Sequence, residues 1–223
     1  MIIAFSGTKF AGKDTVAEAL IRSHGFKRLG LADKLKDICS EVFQISRKDM
    51  DDSVMKEKPF DVQMQITPIH IRDLLKILLR DGFNFDFDET YSLICKDFMG
   101  KNLTSIRDML QTVGTDMCRN YVKDDIWLQY VKHTIVTHQG NLVITDARFK
   151  NEREFLADLG AVMILIIRPG YENKSTHISE NQLGSPDEYD VVVTNDRTIT
   201  AVQSDIAMWY TVMKDAINSK VAG

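Results

Sequence analysis

Ile2-Ile3-Ala4-Phe5-Ser6-Gly7-Thr8-Lys9-Phe10-Ala11-Gly12-Lys13-Asp14-Thr15 is a short apolar run that stops at a glycine and passes directly into the spacing G-x-x-x-x-G-K. The unbroken run Ile2 to Ser6 reads as a buried, central strand of a parallel sheet, because a strand covered on both faces shows no polar alternation. From Asp14 to Arg22, Val16, Ala17, Leu20 and Ile21 fall on one stripe, so a helix follows and ends before Gly25. Between a strand and a helix, this spacing makes a phosphate-binding loop. Its glycines let the backbone wrap with N–H groups inward, the helix start adds a positive dipole end, and Lys13 brings a point charge to β and γ phosphates. An ordinary glycine-containing turn is the competing reading, and the flanking strand and helix argue against it. Asp14 stands where Ser or Thr normally ligates Mg²⁺. A carboxylate there either organises the ion or braces the loop, and Thr15 can supply the hydroxyl.

Outward from this segment, strands and helices alternate, which gives an α/β fold with a parallel sheet and helices on both faces. A helical pattern runs from Leu31 to Phe43 through Leu35, Ile38, Val42 and Phe43. Helical period returns at Ser105–Arg119 and Asp125–Val136. Leu142 to Thr145 reads as a second buried strand ending at Asp146, with a helix starting near Asn151. Val162–Ile167 is a third strand, Val191–Val193 a fourth, and a last helix covers Ile199 to about Ala216. Residues 44–104 are expected to form a cap or insertion within a single domain, with a helix over Ile69–Leu79. In that stretch Phe83, Phe85 and Phe87 alternate with polar residues like one strand of a hairpin. The polar, turn-rich stretch 168–187 is expected to be a lid.

Composition narrows the function. Lys and Arg number 28 against 32 Asp and Glu, a formal charge of −4, which disfavours nucleic-acid binding through a broadly basic surface. With 44% hydrophobic and 27% charged residues the chain can bury a core. The longest apolar run, Val162 to Ile167, falls far short of the roughly 20 residues of a membrane span. The start of the chain has no cationic n-region and too short an apolar run for a signal peptide, so a cytoplasmic protein is expected. Cys39, Cys95 and Cys118 are odd in number and form no C-x-x-C pair, so buried free thiols are expected rather than disulfides or a zinc site.

Three further groups carry chemistry. Asp146 ends a buried strand, where ligands of open α/β sheets bind; it is either the acidic partner of Mg²⁺ or the cap of the next helix. Arg148 and Glu152 are four apart and read as sharing a helix face, either in a site or as a surface ion pair. Arg107, Gln111 and Thr115 likewise share one face, opposite Met109, Leu110 and Val113. With Arg119 and Trp127 following, they suggest a cationic and aromatic lining for a nucleotide. Trp127 would stack on a base, a contact worth about 1–3 kcal/mol, or would pack in the core, as Trp209 is expected to do.

Taken together, these residues resemble the deoxynucleoside monophosphate kinases of tailed bacteriophages, a branch of the P-loop nucleotide kinases. The resemblance is carried by Ser6-Gly7-Thr8-Lys9 with Gly12-Lys13-Asp14-Thr15, Leu31-Ala32 with Lys36-Asp37, Arg107-x-x-x-Gln111-x-x-Gly114-Thr115-Asp116, and Trp127. It continues in Asp146-x-Arg148-x-x-x-Glu152, Arg168-Pro169-Gly170, Thr176-His177-Ile178-x-Glu180 and Thr194-Asn195-Asp196. Residues 44 to about 100 show little of it. The resemblance implies transfer of the γ-phosphoryl group of ATP to the 5′-phosphate of a deoxynucleoside monophosphate, with Mg²⁺. Gly7, Lys9, Gly12, Lys13, Asp14 and Thr15 would hold ATP, and Asp14 and Asp146 the metal. Lys36, Arg107, Gln111, Thr115, Trp127, Arg148 and Glu152 would form the monophosphate side. Lys13, Asp14, Arg107, Asp146 and Arg148 would carry catalysis. His177 and Glu180 fall in the expected lid, as contacts or as solvated residues.

The expected partners are therefore these small molecules, with no nucleic acid and no membrane, and a homodimer is left open. Two other readings compete. One is another small-molecule kinase, of the phosphomevalonate or dephospho-coenzyme A type, for which a base-stacking Trp127 has no use. The other is an assembly module that hydrolyses ATP without an acceptor.

Overall fold

The computed structural model describes residues 1–170 and 182–221, with side chains through residue 215. In chain order its elements are β1 (Ile2–Ser6), α1 (Lys13–His24), β2 (Lys27–Arg28), α2 (Asp33–Phe43), α3 (Arg47–Asp51), β3 (Pro59–Gln65), α4 (Pro68–Arg80) and α5 (Phe87–Phe98). There follow β4 (Asn102–Ser105), α6 (Ile106–Gln111), a π-helix (Thr112–Val122), α7 (Ile126–Thr137), β5 (Leu142–Ile144), α8 (Lys150–Asp158) and β6 (Val162–Ile167). A 3₁₀ turn (Pro186–Glu188), β7 (Val191–Thr194) and α9 (Ile199–Val221) complete the chain. Two compact units result: Met1–Leu31 with Val131–Gly223, and Ala32–Tyr130.

The first unit is built on a five-stranded sheet in the order β2-β5-β1-β6-β7, every neighbouring pair parallel. β1 lies at the centre, with Ile3 opposite Val143 on one side and Val162 on the other. Ile3, Phe5, Val143, Ile164 and Ile166 pack against Val16 and Leu20 of α1 and Val202, Ile206 and Tyr210 of α9. Each such aliphatic side chain contributes about 1.5–3 kcal/mol through burial. Trp209 lies partly buried against the same cluster.

The second unit is helical around Leu74, Leu75, Leu78, Ile94, Met109 and Val113, and carries the antiparallel pair β3–β4. Four of its helices begin at side-chain caps: Ser46 for α3, Thr67 with Pro68 for α4, Asp86 for α5 and Ser105 for α6. Cys39 and Cys118 lie in this core, and burial pushes both thiols well above their ordinary range, away from nucleophilic use.

The second unit departs from the sequence expectation in three places. Phe83, Phe85 and Phe87 form no strand. The Phe83 amide closes the end of α4 on the Leu78 carbonyl, Asp86 caps α5, and Phe87 is the first residue of that helix. The alternating rings are half-buried against the core instead. The strand pair actually present, β3–β4, was not predicted, although Phe60, Val62 and Met64 of β3 alternate with Asp61, Gln63 and Gln65; most of the strand is exposed. The helix read over Ser105–Arg119 is α6 followed by the π-helix, and the change from i−4 to i−5 hydrogen bonding shifts the helical phase. Thr115 is buried there, whereas Arg107 and Gln111 are half-buried.

Candidate functional site

Because the sheet of the first unit is wholly parallel, every strand delivers its carboxyl end to one edge, where ligands of open α/β sheets bind. The loop of Gly7 to Gly12 follows β1, Asp146 and Arg148 follow β5, Arg168 follows β6, and Asn195 follows β7. The residues that matter in this unit are scattered in sequence and gathered by strand direction alone.

Within the loop, Gly7 (φ 151°) passes so close to β6 that a Cβ would sit 2.5 Å from the Ile166 carbonyl oxygen. Gly12 (φ 91°) leads into α1, and a Cβ there would lie 2.5 Å from Asn195 Nδ2. Both are positions that only glycine fills without strain. The Ala11 amide donates to the Thr8 carbonyl at 3.2 Å, tightening the turn. Lys13, the first residue of α1, is only 8% exposed and donates from Nζ to the Gly7 carbonyl at 2.8 Å and the Thr8 carbonyl at 2.9 Å. The ammonium is thus folded over the loop, at the helix N-terminus where backbone N–H groups collect. Lys9 places its Nζ 5.0 Å from the Phe10 ring centroid, and Asp14 and Thr15 are exposed on the first turn.

At the end of β5, the buried Thr145 hydroxyl donates to Asp14 Oδ1 at 2.5 Å. This contact, which the sequence did not suggest, brings Asp14 to the edge that carries Asp146. Asp146 accepts the Leu31 amide on Oδ1 at 2.9 Å and so also holds the chain beyond β2. Two carboxylates and the Thr15 hydroxyl are hard oxygen donors, the chemistry Mg²⁺ takes, and such an ion normally completes its shell with phosphate oxygens and water. Among the described residues no cluster of three or more His, Cys, Asp or Glu competes for a metal.

The expected helix face shared by Arg148 and Glu152 does not exist, because Arg148 lies before α8 begins. Buried Glu152 instead accepts the backbone amides of Arg148 (2.8 Å) and Phe149 (3.0 Å) on Oε2, closing the helix start. Arg153, which sequence reasoning passed over, holds the other side of the same residue by donating to the Arg148 carbonyl at 3.0 Å. It also bonds the Gln182 carbonyl and pairs with Glu188 at 2.9 Å. Arg148 is therefore gripped at its N–H by one α8 residue and at its C=O by the next.

In the second unit, Lys36 is 8% exposed and paired with Asp51 at 2.8 Å, in a network where Arg47 meets Asp33, Asp37 and Asp51. The structure thus gives Lys36 a bracing role between α2 and α3. Arg107 pairs with Glu57, and its amide donates to the Lys56 carbonyl at 3.0 Å. Gln111 is half-buried at the end of α6. Trp127 is 4% exposed in the core, its indole N–H donating to the Gly114 carbonyl at 2.9 Å and its ring stacked on Tyr130. The base-stacking role is corrected accordingly: both faces of a ring packed in that core are closed to a base. Of the expected lid, only 168–170 and 182–187 are described, and His177 and Glu180 lie outside the described residues.

A family model described as deoxynucleotide monophosphate kinase matches residues 65–206, beginning inside the stretch where the motifs show little resemblance. A protein of Acanthamoeba polyphaga mimivirus, provisionally named a deoxynucleotide monophosphate kinase, is 32% identical over 92% of this chain and 94% of its own length. The deoxynucleotide monophosphate kinases of Escherichia phage RB69 and Enterobacteria phage T4 are 25% and 22% identical, each over 92% of this chain and 97% and 96% of their own. No helix among the described residues is long and apolar enough to cross a membrane.

Proposed function

The chain belongs to the deoxynucleotide monophosphate kinase family, and on that premise we propose how its residues divide the reaction. It is an enzyme that transfers a phosphoryl group to deoxynucleoside monophosphates. The donor we assign is ATP, held at the Gly7–Lys13 loop. The observation that carries this assignment is Lys13, the first residue of α1, folded over the Gly7 and Thr8 carbonyls with its charge at the helix start. Backbone N–H groups and the Lys13 ammonium neutralise β and γ oxygens there, and Gly7, Lys9, Gly12 and Thr15 shape the loop.

Mg²⁺ would be held by Asp14 and Asp146 and would supply charge neutralisation as the γ-phosphoryl passes to the acceptor. Arg148 is assigned to the acceptor phosphate, its backbone fixed by Glu152 and Arg153, so that Glu152 acts on substrate through Arg148. Arg107 and Gln111 are assigned to the monophosphate on the resemblance. A phosphate dianion competes with Glu57 for the Arg107 guanidinium, which suits bidentate recognition. With Trp127 buried, discrimination from the coenzyme A and mevalonate kinases rests on the relatives, not on a stacking ring. The viral relatives support action in the cytoplasm of an infected host.

Product analysis tests this reading. ADP should form only when a deoxynucleoside monophosphate is present, together with the matching diphosphate. ADP and inorganic phosphate formed without an acceptor would instead identify an ATPase.

A further inference from the structure

We propose that Asn195 is a positioning residue for the phosphate loop, holding the Ala11 carbonyl so that the Gly12 N–H is turned toward the bound phosphate. The inference rests on reading the Gly7–Lys13 loop as the phosphate site.

It starts from strand register. β6 and β7 pair through Ile167 and Thr194, and the Asn195 amide continues the ladder by donating to the Ile167 carbonyl at 2.7 Å. The sheet therefore fixes the Asn195 backbone before its side chain does anything. That side chain donates from Nδ2 to the Ala11 carbonyl at 2.8 Å. Its approach is possible only because residue 12 lacks a Cβ, which would meet Nδ2 at 2.5 Å. Gly12 is thus matched to two demands at once, its φ of 91° and the amide lying against it.

The consequence follows from peptide geometry. In a planar trans peptide the C=O and N–H bonds point opposite ways, so holding the Ala11 oxygen toward Asn195 directs the Gly12 N–H away from it. The preceding carbonyl is held likewise, Phe10 accepting from Arg168 at 3.2 Å. A carbonyl dipole turned toward a phosphate would repel it, whereas an N–H attracts it. Residues at the ends of β6 and β7 therefore keep two successive loop carbonyls engaged, and Asn195 is the neutral, sheet-anchored member of the pair.

The test uses full-length protein and inorganic tripolyphosphate, a probe with no base or sugar, measured by titration calorimetry beside steady-state kinetics. Asn195→Ala should weaken tripolyphosphate binding and raise the KM for ATP by roughly 3- to 10-fold, the weight of one neutral hydrogen bond. The KM for the monophosphate should stay within experimental error. Asn195→Asp keeps the shape but sets a carboxylate oxygen against the Ala11 carbonyl, so it should do no better than alanine. Thermal melts by circular dichroism check that both variants fold, and the near-isosteric Asp variant carries the test if alanine does not. Wild-type tripolyphosphate affinity in either variant overturns the proposal: in Asn195→Ala the contact is idle, and in Asn195→Asp only shape matters. Lys13→Ala is the control on the underlying reading. If it leaves tripolyphosphate binding intact, the phosphate-loop assignment fails, and the role given to Asn195 falls with it.

Discussion

Lys13 and Asp14 are neighbours in sequence with opposite charges, and the structure turns them to different work. Lys13 is held inside the loop by two carbonyls, so Lys13→Ala removes two hydrogen bonds of about 1 kcal/mol each and a charge needed only when phosphate is present. Transfer should fall by about 10²- to 10³-fold, with a folded protein by circular dichroism; near wild-type turnover would reject the assignment. Asp14 faces solvent but accepts from Thr145, a bond that Asn can keep through its own Oδ1. Asp14→Asn should therefore fold normally while raising the half-saturating Mg²⁺ concentration and lowering kcat. An unchanged Mg²⁺ titration would leave Asp146 as the sole carboxylate for the ion. Arg107→Ala should raise the monophosphate KM by roughly tenfold, the loss of one charge-assisted contact, with the ATP KM little moved; equal loss on both substrates would mean a collapsed site. At this scale the loop was legible, because its function needs residue types at fixed spacing. Thr145 and Arg153 were not, since neither belongs to a local pattern and each acts on a residue that the fold brings to it.

Among the elements, α2 and α3 are tied by Lys36 and Arg47 to a set of aspartates, which gives a pH signature. Burial tends to raise the Asp51 carboxyl, but its bonds to Lys36 and Arg47 outweigh this and lower it below the ordinary carboxylate value. A depressed carboxylate adds stability above its unfolded pKa of about 3.9 and loses it as pH falls through the lower folded value. Asp51→Asn should then be less stable than wild type at pH 6 by up to about 1 kcal/mol, as expected for a half-exposed pair. The gap in urea midpoint should begin to narrow below about pH 4 and close only as pH falls through the depressed folded value; the same gap at pH 6 and pH 3 would exclude the ion pair as its source. Trp127 belongs to the same scale. Trp127→Ala should cost about 3–5 kcal/mol, and Trp127→Phe should leave the monophosphate KM unchanged while lowering the melting temperature. A KM effect without a stability effect would restore the stacking role. The helix carrying Arg107 was readable by its period, but its continuation as a π-helix was not. Period alone does not report a change of hydrogen-bond step, nor that Thr115 is buried.

At the scale of the molecule, the phosphate loop and its supports, Lys13, Thr145, Asp146, Arg168 and Asn195, all belong to one of the two compact units. Core damage in the other unit should therefore spare the loop. Leu75→Ala should cost about 2–5 kcal/mol with tripolyphosphate affinity unchanged at a temperature where the variant stays folded; a parallel loss of affinity would contradict that division. The sequence by itself determined the parallel α/β class, the four longer strands of the sheet and the phosphate loop, because burial on both faces and phosphate binding each require a contiguous run of particular residues. Only the tertiary structure decided that Trp127 is core, that Glu152 closes a helix, and that Asn195 meets Ala11 across 184 positions. Those outcomes depend on which strand ends share an edge and which side chains fill a core, and such contacts join residues whose separation along the chain leaves no periodic trace.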